Sequence, residues 1–300
     1  MIISFLSDGL GNQMFQYAFA RSLQIQTKQS LYFELNLFKD DSSNRMYALD
    51  NLNIYKNVKF LPNPIGEIAL LVHRANNKMR VLRGEDNSQA YAGGRIVNAD
   101  CNAVYYFCDF ANINFSNSVT VRGYFQNYRN LEKYADVLKA ELKIKIIPSE
   151  KNEEMLKKIA NGNSVCVHVR RGDYLNPEWS YLNICNYDYY KKAMERVKEK
   201  VENPVFYIFS NSSEDIAWIK ENYDFSEYNV EYVDLNNPDY EELRLMYSCK
   251  HFIISNSTFS WWAQWLGEYE NKVVVAPSEW NRNDLGCHGI YMPEWEIVEV

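Results

Sequence analysis

Between residues 164 and 276, five short runs rich in β-branched and aromatic residues alternate with four helical segments, and nothing else in the chain constrains its fold as strongly. The runs are Ser164–Val169, Pro204–Phe209, Val230–Val233, His251–Ile254 and Lys272–Ala276. Between them lie Tyr187–Val201, Ser213–Asn222, a segment opened by Asn237 as cap and Pro238 in its first turn, and Thr258–Leu266 stopped by Gly267. Strands joined by helical crossovers must run parallel, which predicts a doubly wound α/β sheet. A helix over Glu153–Ala160, ended by Asn161-Gly162, precedes the first strand. A chain of 300 residues is long enough for two domains, and the natural division is 1–150 and 151–300. The first part also opens as α/β: strand Met1–Leu6, a loop Gly9-Leu10-Gly11-Asn12-Gln13, helical spacing from Met14, and a strand over Ser30–Leu35. Residues 40–115 show little periodicity.

Open α/β sheets bind ligands at the carboxyl ends of their strands, so the polar residues just past each strand are the candidates. Past the strand at 164 come His168, Arg170, Arg171, Gly172 and Asp173; past the next, Ser210, Asn211 and Asp215; past the third, Asp234; past the fourth, Ser255 to Ser260. Arg170 has the permanently charged fork that matches phosphate oxygens, while Arg171 reads as an ordinary surface arginine able to pair with Asp173. His168 shares a strand face with Arg170 by period-2 alternation, and a satisfied core histidine is its plain alternative. Ser257, Thr258 and Phe259 open a helix, whose free N–H groups favour an anion, although serine and threonine are also ordinary caps. Trp261, Trp262 and Trp265 read as core. The glycine loop lacks both G-x-G-x-x-G and the P-loop lysine. No Asp-x-Asp pair is present to hold a metal against a diphosphate, so arginine, hydroxyls and a helix end would have to neutralise one.

A net charge of −7 argues against a general nucleic-acid binder, which needs a basic face. No apolar run reaches the length of a membrane span, and the first residues lack the charged region of a signal peptide. Six cysteines show no metal spacing, and Cys166 and Cys249 read as buried free thiols, which suits a reducing cytoplasm. The basic stretch 73–95 reads first as a solvated helical face, and second as an acceptor or membrane-surface patch that would allow peripheral contact with the inner face of the membrane.

Four blocks, GLGNQMFQYAFAR, HVRRGDY, FSNSSEDIAWIK and CKHFIISNSTFSWWAQWLG, resemble the α-1,2-fucosyltransferases of glycosyltransferase family 11 in order and spacing. Asp8 stands where that family usually shows a glycine. The resemblance implies a two-lobed GT-B-type fold, α/β, with the donor domain in the C-terminal half and the acceptor side in the N-terminal lobe. It implies metal-independent, inverting transfer from GDP-L-fucose, a co-substrate rather than a cofactor, to the 2-hydroxyl of a terminal galactose on an oligosaccharide acceptor. It further implies that Arg170 holds the β-phosphate with His168 and Asp173 in the same site. Gly11 and Asn12, together with Ser210, Asn211, Ser257, Thr258 and Phe259, would touch the donor. A carboxylate one helix earlier would read guanine, with Glu242 the best match and Asp234 or Asp239 as substitutes. Two rivals stand beside this reading: a non-catalytic nucleotide- or glycan-binding module, and an inverting transferase for another nucleotide sugar.

Overall fold

A computed structural model describes residues 1–39, 45–82, 96–98, 119–282 and 289–300. The chain forms two compact units, Met1–Leu142 with Gly286–Tyr291, and Lys143–Leu285 with Met292–Val300. The change of unit thus falls at 142/143 rather than 150/151, and a short later segment returns to the first unit.

Unit 1 contains β1 (Ile2–Phe5), α1 (Leu10–Thr27), β2 (Leu31–Glu34), β3 (Lys59–Phe60), α2 (Asn63–Leu82), β4 (Ile96–Asn98), β5 (Val119–Arg122), α3 (Arg129–Glu132) and α4 (Ala135–Glu141). Its sheet is parallel, in the order β3-β2-β1-β5-β4. β1 is buried along its whole length at the centre. The glycine segment does not form the expected loop over residues 9–13. Asp8 turns the chain at a φ of +64°, Gly9 sits at the N-cap, and Gly11, Asn12 and Gln13 already belong to the first turn of α1. Asp8 therefore holds the left-handed backbone that glycine would adopt freely, a conformation aspartate tolerates better than most residues. α1 is locked by Arg21, which pairs with Glu141 of α4 at 2.7 Å, and by Tyr17, which donates to the same carboxylate. The return segment is seated by Tyr128 N–H, which donates to the Gly289 carbonyl at 2.8 Å.

Unit 2 contains α5 (Glu150–Ala160), β6 (Asn163–His168), α6 (Tyr187–Lys198), β7 (Pro204–Phe209), α7 (Ser213–Asn222), β8 (Val230–Tyr232), α8 (Asp239–Tyr247), β9 (His251–Ile253), α9 (Thr258–Leu266), β10 (Val274–Pro277) and β11 (Glu296–Val298). The sheet is parallel, in the order β11-β10-β9-β6-β7-β8. The chain winds outward from β6 to β8, then crosses back and winds the other way from β9 to β11. Winding therefore reverses between β6 and β9, where the connections leave in opposite directions and open a crevice at the carboxyl edge. One face of β6 sends Val165 and Val167 into the core around Tyr189, Tyr190 and Met194. Trp261 and Trp262 are fully buried and Trp265 nearly so, as a packing stripe should be. Cys166 and Cys249 are buried free thiols. Ser149, Asn186, Ser212 and Ser257 cap α5, α6, α7 and α9 through their side chains. Asn237 does not cap α8 as its sequence suggests: Pro238 holds that position, and the Asn237 amide exchanges hydrogen bonds with Asn152 instead.

Candidate functional site at the carboxyl edge of unit 2

The reversal point between β6 and β9 has two polar walls. One is the segment past β6, residues 168–174; the other is the segment past β9, residues 254–259. Two contacts tie them together. His168 Nδ1 lies 3.0 Å from Ser255 Oγ, and the Tyr174 hydroxyl donates to the Asn256 carbonyl at 3.0 Å. The Asn256 amide donates to the carbonyls of Leu182 and Trp280, so this wall is also anchored from behind.

Arg170 stands at the mouth. One terminal nitrogen pairs with Asp173, and the guanidinium lies 5.1 Å from the Tyr174 ring centroid. Its Nε is buried and has no hydrogen-bond partner among the described residues. A buried N–H without an acceptor costs about 1–3 kcal/mol, so this half-used fork is a destabilised donor awaiting an acceptor such as a phosphate oxygen.

Arg171 has a different fate from its neighbour. Its Nε donates to Asp215 at 3.0 Å and its guanidinium stacks 3.3 Å from the Trp218 ring centroid. The pairing with Asp173 expected for Arg171 belongs to Arg170, because alternate residues leaving β6 project to opposite sides. The turn itself is rigid. Gly172 has a φ of +44° and Asn211 packs so closely that a Cβ there would fall 3.0 Å from its side chain. Asn211 accepts from Arg171 N–H, and the Ser210 hydroxyl donates to the Val169 carbonyl. Ser210 and Asn211, expected at the donor, are thus engaged in holding the turn that presents Arg170.

On the opposite wall, Ser257 is buried and its Oγ accepts from Phe259 N–H. The first turn of α9, opened by Thr258, offers backbone N–H groups together with the positive end of the helix dipole. The Phe259 ring lies 6.0 Å from that of His168. Burial, aided by the Arg170 charge, pushes the His168 imidazole down to about 3. It is therefore neutral at physiological pH and positions the Ser255 wall rather than shuttling protons.

Glu242 lies on α8, partly buried, where no lysine or arginine pairs with it among the described residues. Burial lifts its carboxyl to about 8; Asn237 opposes the rise at 3.4 Å, and Asp239 and Asp234 add to it. The neighbouring Glu241 is instead bound to Arg244 and Asn152. Asp234 accepts from Ser213, and Asp239 is exposed. Because the folded state holds the Glu242 proton more tightly than the unfolded chain, this group makes stability fall as pH rises from about 4.5 to about 8. Glu242→Gln is expected to remove that fall. The melting temperature of the variant should exceed that of the parent more at pH 8.5 than at pH 5, as read by thermal denaturation.

Gly11 and Asn12 belong to unit 1. There the Asn12 side-chain oxygen accepts from Gln126 at 3.0 Å, just past β5, which neighbours β1 where that sheet also reverses. Asp215 is one of the candidates expected past the second strand and supports Arg171, whereas Gln126 and Trp218 are supports to which no sequence signal pointed. In the basic stretch 73–95, residues 83–95 lie outside the described residues.

The sequence profile of glycosyl transferase family 11 matches residues 1–299. An Escherichia coli protein named O-antigen biosynthesis glycosyltransferase WbnK is 32% identical over 301 residues, covering 92% of this chain and 94% of its own. An E. coli alpha-1,2-colitosyltransferase is 30% identical, covering 100% and 99%. Human galactoside alpha-(1,2)-fucosyltransferase 1 is 35% identical over 140 residues, 44% of this chain and 37% of its own. Among solved structures, a fucosyltransferase NodZ from Bradyrhizobium superposes with a TM-score of 0.52 at 13% identity, covering 90% of this chain and 95% of its own. That likeness is one of fold, and it agrees with the α/β, parallel-sheet GT-B type.

Proposed function

Since this chain belongs to glycosyl transferase family 11 and is a glycosyltransferase, we propose that it moves L-fucose from GDP-L-fucose to the 2-hydroxyl of a terminal galactose, with inversion at the fucose C1. The observation that carries the donor half of this reading is the unused, buried Nε of Arg170, on the segment whose His168 and Tyr174 contact Ser255 and Asn256 just ahead of α9. As the galactose oxygen bonds to C1, the C1–O bond to the β-phosphate breaks, GDP leaves with the electron pair, and the proton of the 2-hydroxyl passes to an oxygen of the leaving diphosphate. Arg170 and the first turn of α9 stabilise the charge that builds on the leaving diphosphate. Glu242, which burial keeps largely protonated in the free protein near neutral pH, gives up that proton to accept from the adjacent N1–H and N2–H donors of guanine. The test is GDP release from GDP-fucose with and without lactose, with the product linkage read by NMR. Release that does not respond to any galactose-terminated acceptor would support the non-catalytic reading instead.

A second donor also has support, because one relative that spans the whole chain is named an alpha-1,2-colitosyltransferase. Colitose is fucose without the 3-hydroxyl, so the two donors differ by one hydrogen-bonding group. Parallel kcat/KM values for GDP-fucose and GDP-colitose decide between them.

Two expectations follow from the assignment of residues. Glu242→Gln should raise the donor KM and relax the preference for guanine over other bases, measured by competition among nucleoside diphosphates. An unchanged KM would return Glu242 to a structural role. The phosphate site is built from arginine and a helix end, and the sequence has no Asp-x-Asp, so activity should persist in excess EDTA with at most a modest change. An absolute requirement for Mg²⁺ or Mn²⁺ in the dialysed enzyme would show that the phosphate site is misassigned.

A further inference from the structure

All seven tryptophans of the chain lie among the described residues, and six of them are taken up by packing. Trp261, Trp262, Trp265, Trp280 and Trp295 are buried, and Trp218 is half-buried under the Arg171 guanidinium. Trp179 is the exposed one, at 44%. A single exposed apolar side chain needs no explanation in itself. The place and the stiffness of this one do.

Trp179 rides on a strap that leaves the candidate site directly. Two 3-10 turns, Gly172–Leu175 and Pro177–Leu182, follow Arg170 and Arg171. Both ends of the strap rest on Asn256, a buried residue of the facing wall. The Tyr174 hydroxyl donates to the Asn256 carbonyl at 3.0 Å, and the Asn256 side-chain amide donates to the Leu182 carbonyl at 2.8 Å. Pro177 opens the second turn with its φ already fixed. Trp179 N–H donates to the Asn176 carbonyl at 2.9 Å, and Arg282 N–H to the Tyr181 carbonyl at 3.2 Å. At about 2 Å of rise per residue in a 3-10 turn, the Trp179 backbone is only about 6 Å along the strap from its foot at Leu182. The Tyr181 ring lies 6.0 Å from the Trp179 ring, tilted by 47°, and Asn176, Glu178 and Ser180 beside them are exposed.

This chemistry suits a sugar. One face of a pyranose ring presents C–H groups, whose slight positive charge is drawn to the negative face of an aromatic ring, while hydroxyls line its edge. A fixed indole bordered by amide, carboxylate and hydroxyl side chains meets both. A bilayer or a protein partner would need a broader apolar area than one indole and Leu175. A strap pinned at both ends also loses little freedom when it binds. We propose that Trp179, backed by Tyr181, is a stacking platform for a sugar ring of the acceptor oligosaccharide. The proposal rests on the reading of this chain as a transferase to a glycan, and it gives unit 2 a part in holding the acceptor.

The test uses lactose as the probe, in saturation-transfer NMR with GDP present and in steady-state kinetics. Over the parent protein, the ring C–H protons of lactose are expected to receive saturation, and Trp179→Ala should remove most of it. The KM for lactose should rise about tenfold in that variant, with the loss in KM rather than in kcat, and with GDP affinity and melting temperature unchanged. Trp179→Phe keeps a ring and should recover most of the loss. A lactose KM within twofold of the parent in Trp179→Ala overturns the platform, as does a fall in GDP affinity that matches the rise in KM. So does a parent protein to which lactose shows no transfer. A parent that transfers saturation to lactose, yet releases no GDP from GDP-fucose in its presence, counts against the proposed reaction and leaves the platform standing.

Discussion

Arg170→Lys is expected to fold and melt like the parent yet lose ~10²–10³ in kcat. Lysine keeps one positive charge but replaces the planar fork with a single ammonium. In the structure one terminal nitrogen of that fork pairs with Asp173, while Nε is buried without a partner among the described residues. One ammonium cannot hold Asp173 and also occupy the position of Nε. The loss should appear mainly in kcat, because the diphosphate gains charge as the bond to fucose breaks, and only interactions that strengthen during that step raise the rate. Steady-state kinetics alongside a thermal melt separate this from unfolding. Near-normal turnover in a folded variant would remove Arg170 from the site.

Asp173→Asn carries the second-largest effect and decides which role its carboxylate has. Asp173 is paired with Arg170 three residues earlier, and its side chain is 41% exposed. This geometry favours an orienting role. Asparagine then leaves the guanidinium poorly aimed, GDP binding weakens, and kcat/KM falls about 10²-fold, since small misplacements of a positioned group cost on that order. The acidic limb of the pH–rate profile should remain. His168 cannot supply that limb, because its imidazole is held down to about 3. If Asp173 is instead the base that receives the galactose proton, the variant binds GDP normally, turns over ~10³-fold more slowly, and loses the acidic limb. Calorimetric GDP binding and a pH series on the same preparation distinguish the two outcomes.

The elements legible in the sequence were those with hard punctuation at both ends. β7 begins at Pro204 after Asn203, which turns at a φ of +46°; α7 follows the cap Ser212; α9 runs from the cap Ser257 to Gly267. All three match the pattern to the residue. β5 and β11 were invisible because four or three residues of V-T-V-R or E-I-V carry too little alternation to stand out. The glycine segment misled for a definite reason. Two glycines in three residues suggest a loop, but the turn is completed at Asp8 and Gly9, and Gly11 is carried inside a helix whose later turns are buried. Of the candidate site, His168, Arg170 and Asp173 are contiguous in the chain and were readable from strand ends alone. The attachment of Arg171 to Asp215 and Trp218 joins two separate segments, and residue spacing cannot supply it.

The seating of Gly289 beside β5's continuation has a consequence for the order in which the protein comes into being. Residues 1–142 emerge before unit 2 is made, and once clear of the ribosome they contain both partners of the β1–β2 and β1–β5 pairings and of the Arg21–Glu141 lock. They still lack the carbonyl to which Tyr128 N–H donates and the backbone that packs on the Asn127 side chain. Unit 1 is thus left unfinished through the making of nearly all of unit 2. Its closure is a late, long-range event, the kind of contact that slows folding. A nascent chain stalled before residue 289 should accordingly be open to protease near residues 123–130, and a chain released past residue 291 should be protected there.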